Sequence, residues 1–178
     1  MIKVGDHLPS TTLWEVVPAE DGGLSGPQSI DVGAAVAEKT IVIIGVPGAF
    51  TPTCSKQHVP GYLSLVSHFH NLGVDEIWCV SVNDAYVMQA WGAQMGVGDQ
   101  IRMLADGNAA FVEAMGLSRD LSEKGMGVRS QRYSMLVVNG VVKILNVEPQ
   151  GKFVVSGAQQ LHIQAQGVLD NTQKISEN

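Results

Sequence analysis

The chain has 178 residues, 45% of them hydrophobic and 16% charged, and a formal net charge of −6 at pH 7. That length fits one domain over 1–178 with one sizeable core, and the composition excludes a disordered chain. The acidic balance, without a Lys/Arg cluster, sets nucleic acid and anionic membrane surfaces aside as partners.

The start, Met1-Ile2-Lys3-Val4-Gly5-Asp6, has no apolar signal-peptide region, so a cytoplasmic protein is expected. Two short strands are predicted at 11–17 and 28–31, joined by the Gly/Pro turn region 21–27. Residues 32–37 make a short helix or turn. The run Thr40-Ile41-Val42-Ile43-Ile44-Gly45-Val46 is apolar on both faces, as a central strand of a covered sheet should be. It is also the longest clean apolar run, and far too short to span a membrane.

A helix is predicted over 53–72. Pro52 suits its first position, and Pro60 is set to kink it or end its first segment. A second buried strand spans 76–82, and Asn83-Asp84 caps a helix running to about 95. A strand at 101–105 and a short helix over 109–115 follow, the helix ending at Gly116. Residues 131–138 and 141–147 flank Asn139-Gly140 and make the clearest hairpin. A weak helix over 156–169 comes last, and the final residues are expected to fray. Alternating strands and helices, then a hairpin and a helix, describe a mixed α/β architecture.

The chemistry concentrates at Cys54, in the first turn of the predicted 53–72 helix. Unpaired backbone N–H groups and the positive end of the helix dipole there favour thiolate over thiol. The one other cysteine is Cys79, and no C-x-x-C occurs. This spacing excludes a disulfide scaffold and a dithiol oxidoreductase, and a structural zinc site lacks its ligands. Thr51, three residues before Cys54, has a hydroxyl suited to capping the helix or to holding a ligand. Pro47 either shields the thiol or simply shapes a turn, and Gly48 leaves room for backbone N–H groups to approach a ligand. His58 follows Cys54 by four, one helical turn on. Two roles are open to it: electrostatic support of a thiolate, or a neutral, buried and satisfied ring.

Pro47, Thr51 and Cys54 form the pattern P-x-x-x-T-x-x-C. The run from Pro47 through Ser55-Lys56-Gln57-His58-Val59-Pro60-Gly61-Tyr62 resembles the type-II branch of the peroxiredoxins, the thiol peroxidases. Two further runs match that family: Ser130-Gln131-Arg132-Tyr133-Ser134-Met135, and Asp75-Glu76-Ile77-Trp78-Cys79-Val80-Ser81-Val82-Asn83-Asp84. The resemblance implies a thioredoxin-like fold, a central mixed sheet flanked by helices, with the peroxiredoxin N-terminal extension. It implies reduction of hydrogen peroxide and organic hydroperoxides through a sulfenic acid at Cys54, with Arg132 as the principal charge-stabilising group.

A low thiol pKa alone does not make such an enzyme. Lowering any cysteine from about 8.5 to roughly 6 raises its thiolate fraction at pH 7 about 30-fold, and lost nucleophilicity returns about tenfold of that. Groups that hold the peroxide and stabilise its departing oxygen must supply the rest. The family register selects Arg132 over Arg129, which is read as solvated. Cys79 holds the branch's second-cysteine position, open to resolving Cys54 or to an inert buried thiol. The animal-type C-terminal cysteine is missing from Lys152-Phe153-Val154-Val155-Ser156-Gly157. The expected reductant is therefore external: glutathione with glutaredoxin, or thioredoxin. No cofactor and no metal are expected, and the resemblance implies a homodimer.

Overall fold

The computed structural model describes the backbone of residues 1–176 and the side chains of residues 1–170. Seven strands form one sheet in the order β2-β1-β5-β4-β3-β8-β9. These are β1 (Thr12–Glu15), β2 (Gln28–Asp31), β3 (Thr40–Val46), β4 (Glu76–Ser81), β5 (Arg102–Ala105), β8 (Tyr133–Val138) and β9 (Val141–Val147). β3, β4 and β5 run parallel, while the β1–β2 pair and the β8–β9 hairpin are antiparallel to the strands they flank.

The two-faced apolar pattern of β3 has its cause in two layers. Val42, Ile44 and Val46 pack beneath α2 (Val59–Ser64), α3 (Val66–Asn71), α4 (Ala85–Met95) and α6 (Ala158–Ser176). Ile41 and Ile43 face the other layer, with α1 (Val32–Val36) and α5 (Ala110–Ala114). Both sheet faces are dry, so alternation disappears from the sequence. Gly45 lies opposite Tyr133 in the β3–β8 register, and a Cβ on it would come within 2.0 Å of the Tyr133 ring. The ring fills the space left by the missing side chain and fixes where β8 begins, one residue after Arg132.

Four expectations change. The predicted 53–72 helix is three pieces: a widened π turn over Cys54–His58, then α2, then α3 after a break at Leu65 (φ −111°, ψ 10°). Pro60 sits in the first turn of α2 rather than at the break. It offers no N–H to the carbonyl of Lys56, four residues back, and the preceding turn widens so that the Val59 N–H meets Cys54 O, five back. Second, β6 (Ser118–Asp120) and β7 (Val128–Ser130) form a separate two-stranded sheet that the sequence reading left out. Third, β1 stops at Glu15, short of the predicted 17. Fourth, α6 starts at Ala158 and runs past 169 to Ser176, so the fraying expected of the last residues falls on 177–178, outside the described residues. Among the described residues no helix is long and apolar enough to cross a membrane.

Candidate active site

The loop after β3 and the start of the Cys54 helix build the site's floor. Helical backbone begins at Pro52, as expected of a residue whose missing N–H costs nothing there. Thr51 takes the cap position through its backbone, its carbonyl accepting from the Ser55 N–H at 3.0 Å. Its hydroxyl does not cap the helix; it donates to Gly48 O at 2.7 Å. With its proton committed there, Thr51 Oγ1 can meet a ligand only as an acceptor. The loop is pinned from β4: Asn83 Oδ1 accepts from the Ala49 N–H at 2.9 Å and from Ser81 Oγ at 2.6 Å. Asn83 was read as part of a helix cap, and only Asp84 caps α4, accepting from the Val87 N–H.

Cys54 is fully buried. Arg132, immediately before β8, reaches across to it and donates from Nη2 to Sγ at 3.3 Å, placing a full positive charge against the sulfur. Its other arm, Nη1, donates to His58 Nδ1 at 3.0 Å. The Phe153 ring lies 5.8 Å from the guanidinium carbon and 5.1 Å from the His58 ring. The guanidinium fork, which presents several donors in one plane, is thus engaged on two sides at once.

His58 is buried and hydrogen-bonded at both ring nitrogens. Its Nε2 sits 3.1 Å from Ser156 O, which also accepts from the Tyr62 hydroxyl at 2.8 Å. A carbonyl takes only donors, so Nε2 carries the proton and Nδ1 offers a lone pair to Arg132. Burial, then the Arg132 charge, push its pKa down from 6.5 to about 3. Desolvation holds the ring uncharged, and its Nδ1 accepts from the arginine.

Unfolded, His58 takes a proton near pH 6.5; folded, it refuses one until about pH 3. Stability is therefore lost as pH falls from about 6.5. The thermal midpoint of a His58→Phe variant should drop less between pH 6.5 and 5 than that of the wild type, as calorimetry would read. Parallel slopes would refute the assignment.

Arg129 is not the solvated residue the sequence suggested. Its Nε donates to Met126 O at 2.8 Å and Nη1 to Val82 O at 2.9 Å, and Nη1 lies 3.6 Å from where a Gly48 Cβ would stand. It ties β7 to the residue after β4, behind the cysteine loop, and among the described residues makes no hydrogen bond to Cys54. Gly48 itself is buried, with Thr51 Cγ2 3.1 Å from that Cβ position. A side chain there would crowd the loop.

Cys79 lies in β4 opposite Ile44, fully buried in the same core layer as Cys54. Burial, and then the neighbouring Cys54 charge, push its thiol well above the usual range. Both cysteines are free thiols. A cleft of about 530 Å³ opens over this arrangement, lined among others by Pro47, Thr53, Gln57, Arg119, Arg132 and Phe153. Among the described residues no three His, Cys, Asp or Glu gather as metal ligands.

The sequence reading missed Ser156, Phe153 and Glu148, which reach the site from the segment after β9. Their contacts run from 16 positions, Glu148 N–H to Arg132 O, to 98, Ser156 O to His58 Nε2, beyond any local pattern. The only available signal was Phe153, the one Phe, Tyr or Trp after Tyr133.

A thioredoxin-like sheet with a buried thiol at a helix start, an arginine against it and a threonine in the loop before it, defines the redoxin class, and the redoxin family pattern matches residues 3–161. Rice (Oryza sativa subsp. japonica) Peroxiredoxin-2C is 43% identical over 161 residues, covering 90% of this chain and 96% of the relative. The chloroplastic Peroxiredoxin-2E-2 of the same plant is 47% identical over 163 residues, 90% of this chain and 71% of the relative. The crystal structure of reduced Prx3 from Vibrio vulnificus in complex with hydrogen peroxide superposes with a TM-score of 0.85. It is 44% identical and covers 93% of this chain and 99% of that one. The chain belongs to the peroxiredoxin family, in its type-II branch, and is a thiol peroxidase of antioxidant function.

Proposed function

We propose that Cys54 is the residue that peroxide oxidises and that an external thiol, not Cys79, returns it to the reduced state. The observation that carries the first half is the Arg132 Nη2 to Cys54 Sγ contact at 3.3 Å, with the Thr51 acceptor in the same loop. The Cys54 thiolate attacks one peroxide oxygen; an S–O bond forms as the O–O bond breaks, and the other oxygen leaves as hydroxide or alkoxide and takes up a proton. Arg132 stabilises the charge moving onto that oxygen. Thr51 Oγ1 accepts the hydrogen bond of the peroxide O–H and aligns it. Pro47, on the cleft wall, excludes water, and Gly48 lets the loop backbone approach.

Sulfenic acid at Cys54 then condenses with a thiol to a disulfide, releasing water, and a second thiol frees the cysteine. Glutathione with glutaredoxin, or thioredoxin, supplies these thiols, and no further cofactor takes part. Burial and the elevated thiol pKa of Cys79 support its part as core rather than resolving residue. Hydrogen peroxide and organic hydroperoxides are both substrates in this reading. A homodimer in the cytoplasm completes it, with exposed Phe50, tilted against Trp91 at 6.4 Å, at the contact between copies.

Peroxide consumption by wild type and Cys79→Ser, with glutathione plus glutaredoxin and separately with thioredoxin, tests the resolving step. The variant should keep at least half the wild-type turnover with one of the two systems. Complete loss with both would assign the resolving step to Cys79.

A further inference from the structure

The chemistry above uses Arg132 as a given, yet an arginine is a long, flexible side chain that must be held. We propose that Glu148 is the positioning residue that fixes Arg132, from its backbone end directly and from its guanidinium end through Ser156 and His58. The functional consequence rests on the role assigned to Arg132; the clamping does not.

Glu148 directly follows β9, and its N–H donates to Arg132 O at 2.9 Å, tying the backbone of Arg132 in place. Its side chain turns inward and is 6% exposed. One oxygen, Oε1, gathers four donors: the N–H groups of Val154 at 2.8 Å, Val155 at 2.7 Å and Ser156 at 2.8 Å, and the Ser156 hydroxyl at 2.9 Å. Burial works against the charge, but these donors outweigh it and hold the carboxyl below its ordinary range. The segment 153–156 is thereby wrapped around a carboxylate.

What the wrap delivers is the Ser156 carbonyl. It faces His58 Nε2 at 3.1 Å and fixes the tautomer, which leaves Nδ1 as the acceptor for Arg132 Nη1 at 3.0 Å. The remaining arm of the fork then points at Cys54 Sγ. The same wrap sets Phe153 over both the arginine and the histidine. Each link is a hydrogen bond between buried or half-buried groups, where bonds in series reinforce one another. Ser156 is shared with Tyr62, so α2 and the Glu148 segment are locked to the same point. Among the described residues Glu148 Oε2 has no partner. Glu148→Gln keeps an oxygen in the Oε1 cradle while removing the charge and placing an NH2 where Oε2 stands, whereas Glu148→Ala removes the cradle.

Three readings on the full-length protein decide the matter. The second-order rate constant with hydrogen peroxide should fall about tenfold in Glu148→Ala and stay within about threefold of wild type in Glu148→Gln, as expected for a misplaced catalytic group. In an Arg132→Ala background, Glu148→Ala should cost less than about twofold, because coupled residues do not add. With 15N-labelled histidine, His58 should show the Nε2–H tautomer in wild type and Glu148→Gln, and a mixture in Glu148→Ala. If Glu148→Ala does not fold, Glu148→Asp, which keeps the charge but shortens the reach by one methylene, should show the same slowed reaction and mixed tautomer. A folded variant with an unchanged rate and an unchanged tautomer, or a full tenfold loss in the Arg132→Ala background, would overturn the proposal. Should Arg132→Ala itself leave the peroxide rate untouched, the role of Arg132 fails, while the tautomer still decides whether Glu148 clamps it.

Discussion

Replacing Cys54 by serine should lower peroxide consumption by at least about 10³-fold, to the uncatalysed background, in an otherwise folded protein. The size of the loss follows from the chemistry. Attack on the O–O bond needs a polarisable anion at neutral pH, and a serine hydroxyl is not ionised there. The fold should tolerate the change, since serine is nearly isosteric and can accept the hydrogen bond that Arg132 Nη2 now gives to sulfur. The assay is loss of peroxide by reduced protein under single-turnover conditions, with circular dichroism alongside. A variant that retains a tenth of the wild-type rate would place the reactive atom elsewhere.

The second large effect belongs to Arg132. Its conversion to alanine should cost about 10²–10³ in the rate constant with peroxide, the size seen when one preorganised donor to a developing charge is removed. Lysine should not restore the rate. A single ammonium cannot reach both Cys54 Sγ and His58 Nδ1, which the fork meets at 3.3 and 3.0 Å. The alanine variant should also be less stable by roughly 1–3 kcal/mol, since the buried Nδ1 lone pair of His58 is left without a donor. Stopped-flow kinetics and thermal melts read the two effects separately. A lysine variant within threefold of wild type would show that charge alone suffices and that the fork geometry is irrelevant.

The parts of this molecule that were legible in its sequence are those set by local rules. β2, β3 and β9 fall on their predicted bounds because β-branched runs, Asp and Gly mark them within a few residues. Pro47, Gly48, Thr51 and Cys54 lie within eight positions on one loop and helix start, so their proximity was readable too. Arg132 was found only through a family pattern, since nothing in its neighbours distinguishes it from Arg129. The Glu148 to Ser156 wrap was invisible for a physical reason. Three of the four donors to its carboxylate are backbone N–H groups, which every residue has, and the one Ser156 hydroxyl does not announce the bond. The short β6–β7 pair was missed because three-residue strands carry too little periodicity.

The widened turn at Cys54–His58 makes chain length, as well as residue identity, part of the site's specification. A turn closed five residues back holds one residue more than a regular α-helical turn. Deleting a single exposed residue there, Lys56 for example, would turn everything ahead of it by about 100° relative to α2. The sulfur would then leave the guanidinium although every residue that touches either had been kept. Substitution at the exposed Lys56 meets only solvent, whereas loss or gain of one residue between Cys54 and Val59 re-aims the nucleophile. At Lys56 the number of residues is therefore constrained where their identity is not.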